Sequence, residues 1–90
     1  MRIVSGFVMR QILGETVAIP SGESAHRLSG LIALNGSART LFELLQTEQT
    51  EESLVQGLLE AFEVDRQTAC ADVAEFVDAL RQNGLLIEND

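Results

Sequence analysis

Few residues in this chain could do chemistry. His26 is the single histidine and Cys70 the single cysteine among 90 residues. An imidazole titrating near neutrality can act as a general base, but His26 follows Ser21-Gly22-Glu23-Ser24-Ala25, a loop-like run. A solvated loop side chain is the simpler reading. Cys70 falls inside a helical pattern and reads first as a small buried apolar residue, not as a nucleophile. One cysteine forms neither an internal disulfide nor a zinc site. Acid pairs are plentiful: Glu51-Glu52, then Asp72, Glu75 and Asp78. Paired carboxylates serve acid–base catalysis, yet at helical spacing they most simply form a solvated outer face. There is no phosphate-cradling glycine loop, no HExxH and no G-x-S-x-G. The expectation is a non-enzyme, with no catalytic residue, no cofactor and no metal.

Charge narrows the partners. The net charge is −8. Residues 1–40 hold four arginines against two glutamates, while residues 41–90 hold two arginines against twelve acids. Duplex binding requires many cations against phosphate, and an anionic membrane surface asks for the same. Both are disfavoured. The first ten residues have no long apolar stretch of a secretory signal, and no run approaches the roughly 20 apolar residues of a membrane span. A cytoplasmic setting fits. The length suits one domain, 1–90, with a single thin core.

The elements that would position a site follow from periodicity. Partial alternation around Phe7, Val8, Met9, Ile12 and Leu13, then Val17 and Ile19, predicts strands near 6–13 and 16–20. Gly14-Glu15 is the expected turn, with glycine supplying positive φ, and Pro20 closes the second strand. Gly30-Leu31-Ile32-Ala33-Leu34 is too short for a helix and reads as a third strand. Asn35 is an N-cap for a helix over about 36–46 carrying Ala38, Leu41, Phe42 and Leu45. Thr50 caps a second helix with Leu54, Val55, Leu58, Leu59 and Phe62. Asp65 caps a third, whose inner face holds Ala69, Val73, Phe76, Val77 and Leu80 and which ends at Gly84, a left-handed stop. Leu85-Leu86-Ile87 either docks on the core or adds a strand. The class is α+β: a winged helix-turn-helix, three N-terminal strands followed by three helices.

Two features of that layout could bind something. On a helical wheel the third helix has an apolar arc of about 160°, wider than the roughly 100° an ordinary surface helix buries. Its extra flank, Cys70, Ala74 and Val77 with Arg81 at the lip, is either more core or the floor of a shallow groove. Beside it, the third strand is an edge of a three-stranded sheet and carries no charge, Pro or Lys to blunt it. Such an edge accepts an extended peptide as an added strand, or a second copy of the chain as a homodimer.

At these residues the chain resembles a known family. The segments Leu34-Asn35, Leu44-Leu45, Thr50-x-x-x-Leu54, Phe62-x-Val64-Asp65 and Ala71-Asp72-Val73-x-x-Phe76-Val77-x-x-Leu80-x-x-x-Gly84-Leu85-Leu86, over roughly residues 6–88, look like the PqqD-like family. These are small recognition elements of ribosomally made, modified peptides (RiPP recognition elements), named from pyrroloquinoline quinone biosynthesis. The resemblance implies a non-catalytic peptide chaperone that holds a precursor's leader segment and presents it to a modifying enzyme, often a radical SAM protein. The leader would pair along Gly30, Leu31, Ile32, Ala33 and Leu34 and pack on Cys70, Ala74, Val77 and Arg81. Phe42 stands where members commonly have Trp, and Gly36 where a larger residue is usual. Relatives serve many peptide pathways, so the family name does not fix the product.

The competing readings are a winged-helix DNA-binding or transcription-associated protein and a module for a helical protein partner. Asp72, Glu75 and Asp78 on the would-be recognition helix oppose the first, since carboxylates repel phosphates. On the peptide reading, Val77→Asp is expected to weaken leader binding and leave the fold intact.

Overall fold

The computed structural model describes residues 1–22 and 32–88. Its elements run β1 (Arg2–Ile3), β2 (Phe7–Ile12), β3 (Glu15–Pro20), β4 (Ile32–Leu34), α1 (Gly36–Leu44), α2 (Glu51–Ala61), α3 (Arg66–Gln82) and β5 (Leu86–Ile87). Strands β2, β3 and β4 form one antiparallel sheet in that order, and the helices follow it, as the winged helix-turn-helix expectation has it.

The β2–β3 turn lies one residue earlier than expected. Ile12 pairs with Glu15, so the two-residue loop is Leu13-Gly14 rather than Gly14-Glu15. Both loop residues have positive φ, 52° and 83°. Positive φ at both positions is the primed turn whose twist suits a hairpin. Leu13 takes the left-handed conformation at a cost of about 1 kcal/mol, and its side chain is 98% exposed. Along β2, Phe7 and Met9 pack on the core and Val8, Arg10 and Ile12 face out, the period of two expected of a half-wet strand.

All three N-caps read from the sequence are present. The Asn35 side chain accepts from the Ala38 N–H at 3.0 Å, and the Asp65 carboxylate from the Thr68 N–H at 2.7 Å. Thr50 and Ser53 form a reciprocal capping box, with N–H to hydroxyl distances of 2.8 and 3.0 Å. Hydrogen bonding to the Thr68 backbone holds the Asp65 carboxyl below its usual range. Helix α3 ends in a Schellman turn. Gly84 (φ 69°) donates to the Arg81 carbonyl at 3.1 Å, Leu85 to that of Leu80 at 2.9 Å, and both leucines are buried. Gly57, midway along α2, marks a close approach to α1: a Cβ there would lie 2.5 Å from Leu44 Cδ1.

The chain ends pair with each other, which neither end's local pattern dictates. The tail 85–87 does become a strand: β5 pairs antiparallel with β1, Arg2 opposite Ile87 and Ile3 opposite Leu86. The Ile3 N–H donates to the Leu45 carbonyl at 2.9 Å and the Val4 N–H to that of Leu85 at 2.8 Å. This ribbon ties the first residues to the ends of α1 and α3. The core joins Ala18 and Leu34 of the sheet to Leu41, Phe42, Leu54, Leu58, Ala69, Val73, Val77 and Leu80 of the helices. Phe7 meets Phe42 edge-on, centroids 5.6 Å apart at 89°.

Candidate peptide-binding site

Strand β4 pairs with β3 along one side: Thr16 opposite Leu34, Val17 opposite Ala33 and Ala18 opposite Ile32. Among the described residues no strand covers its other side. In an antiparallel strand alternate residues turn N–H and C=O away from a given partner, so β4 keeps backbone groups for a further strand. Of the five strand residues expected to receive a peptide, Ile32, Ala33 and Leu34 lie on this edge. Gly30 and Leu31, like His26, fall outside the described residues.

The edge runs straight into α1, and two hollows open beside the junction. One, about 200 Å³, lies between α1 and α3, lined by Asn35, Ser37, Ala38 and Leu41 on one side and Asp72, Glu75, Phe76 and Ala79 on the other. The second, about 530 Å³, runs from the hairpin tip (Gly14, Glu15, Thr16) past Ala33 and Leu34 to Gly36 and Arg39. Asn35 lines both. The first arises because α1 and α3 meet there through small residues, Ala38 and Ala79, leaving the space a larger side chain would fill.

The α3 residues named from the wheel do not line that hollow. Val77 is 2% exposed and part of the core, so it floors no groove in this form. Cys70 is exposed, which overturns its reading as a buried residue, and Ala74 is exposed as well. Arg81 is not a lip. Its guanidinium bonds both carboxylate oxygens of Glu88, at 2.7 and 3.2 Å, and lies 3.6 Å from Asp78. The hydrogen bond to Glu88 raises the Arg81 pKa, and the same contact holds the Glu88 carboxyl below its usual range. Arg66, one turn before Cys70, pairs with Glu52, whose carboxyl is held low by its hydrogen bond from Gln56 and then by Arg66. Asp72 and Ala79 lie about 160° round the helix from Ala74 and Arg81 respectively. The groove-side residues of α3 are therefore Asp72, Glu75, Phe76 and Ala79. From the sequence, the first two are expected on a solvated face and Phe76 in the core. One signal was available: Ala38 and Ala79 are small residues on facing helices.

An antiparallel sheet whose β4 edge is unpaired among the described residues, set against a helix-turn-helix with a hollow beside that edge, defines a winged-helix protein with room for an added strand. A family model described as coenzyme PQQ synthesis protein D (PqqD) matches residues 15–86, and the chain belongs to that family. A solved structure described as "TbiB1 in Complex with the TbiA(beta) Leader Peptide" shares the fold, with a TM-score of 0.72 at 23% identity over 100% of this chain and 99% of that one. No curated protein sequence matches the chain.

Proposed function

We propose that this chain is a non-catalytic adaptor that captures the leader segment of a ribosomally synthesised precursor peptide on the free edge of β4 and presents it to a modifying enzyme, a radical SAM protein by family analogy. The observation that carries the reading is the coincidence of an open strand edge with the α1–α3 hollow. Backbone pairing would supply affinity and the hollow would choose a side chain, which is how strand-addition recognition divides its work. Membership of the PqqD family and a fold shared with a protein solved with a leader peptide support it. DNA binding gains no such support, and Asp72 and Glu75 on α3 oppose it. No helix among the described residues is long and apolar enough to cross a membrane, which accords with a cytoplasmic adaptor acting as one domain. A second copy could occupy the same edge, so peptide and homodimer would compete.

Backbone amide exchange tests this directly. Adding a synthetic precursor leader peptide should protect the outward amide groups within Ile32–Leu34 and shift the Phe76 ring resonances. Binding that leaves those amides exchanging as before would refute strand addition.

A further inference from the structure

Resting on that reading of β4, we infer that the α1–α3 hollow is a side-chain pocket selective for a basic residue, so the captured peptide carries a Lys or Arg at a fixed distance from its strand-pairing segment. The floor is apolar: Leu41 is 1% exposed, and Ala38 and Phe76 pack partly buried against the core. The α3 wall carries Asp72 and Glu75. Asp72 is half-buried, and among the described residues neither carboxylate has a hydrogen bond or an ion pair. No cation among the described residues answers them, unlike Glu52 and Glu88, each paired with an arginine. A long cationic side chain fits both halves of this site, its methylene stem lying on the floor and its head reaching the carboxylates. An acidic side chain would meet like charge. Residues 41–90, with twelve acids against two arginines, add a field of the same preference. The competing role for the two carboxylates is structural. They face the start of α1, whose first turn holds no acid, and could serve only to stabilise that helix end.

Display of random twelve-residue peptides against the full chain separates these. Binders are kept when they protect the β4 amides. The expected result is enrichment of Lys or Arg at one position. Replacing that residue by Gln should weaken binding about fivefold, less at high salt. The double variant Asp72→Asn, Glu75→Gln should abolish both the enrichment and the penalty, while Asp78→Asn leaves them unchanged. Binders at β4 without a basic preference, or a preference that survives the double variant, overturn the pocket and leave peptide capture standing. If the double variant merely melts earlier, the Lys→Gln comparison on the unmodified chain still decides. If no peptide protects β4, the capture reading falls and the pocket falls with it.

Discussion

The two flanks of α3 have different fates. On one, Arg81 closes on Glu88 just after β5, itself pinned to β1, and Cys70 and Ala74 are exposed, with no facing wall among the described residues. On the other, Phe76 and Ala79 face Ala38 and Leu41 across an unfilled gap beside a free strand edge. A groove needs two walls. A wide apolar arc shows that a helix has surface to spare, and only the neighbouring elements decide whether that surface is core, open face or pocket.

The sharpest way to break this comparison is at Val77, between the flanks. On the sequence alone Val77→Asp reads as a binding mutant that stays folded. At 2% exposure it buries an unpaired carboxylate in the core, and destabilisation by about 3 kcal/mol or more is expected in chemical denaturation. A variant melting like the parent would return Val77 to the surface. Next in size is a contrast of one residue per flank. Phe76→Ala removes packing from the hollow's floor and should cost about 2 kcal/mol in stability as well as most of the leader affinity. Ala74→Ser should change stability by less than about 0.5 kcal/mol and leave affinity alone. Equal effects on binding at both positions would erase the distinction between the flanks.

Much of the fold was legible because it is written in local signals. Asn35, Thr50 and Asp65 cap the helices, Gly84 stops α3, and the 3/4 spacing of Leu54, Val55 and Leu58 sets a buried stripe. What escaped is non-local. The pairing of β1 with β5 joins residues 2–3 to 86–87, and no short-range pattern encodes that meeting. The hairpin register moved by one residue because Leu13 tolerates a left-handed conformation that its residue type argues against. Within the site, the β4 edge followed from strand count, whereas the choice of flank depended on how α1 crosses α3. Asp72 and Glu75 carry no sequence signal of a site, because carboxylates at helical spacing usually face solvent, and here they line a wall.

The smallest expected effect concerns the Arg81 flank. Glu88 is held below its ordinary pKa of 4.5 chiefly by its hydrogen bond from Arg81. A carboxyl depressed in the folded state stabilises that state above its unfolded pKa, and the contribution is lost as pH falls through the lower folded value. Below about pH 4.5, then, the clamp should weaken progressively, and the Leu86 and Ile87 amides of the β1–β5 ribbon should exchange faster. Asp65 and Glu52 are lowered in the same way, so acid also loosens the start of α3. Arg81→Gln isolates the tail: it should speed exchange at Leu86 and Ile87 near neutrality, and its difference from the parent should vanish once Glu88 is protonated. Because both side chains are exposed, the effect should be small and shrink with added salt. The hollow on the opposite flank should keep its peptide affinity in Arg81→Gln near neutral pH. A variant that lost leader binding there would mean that Arg81, and not the α1–α3 gap, faces the visiting chain.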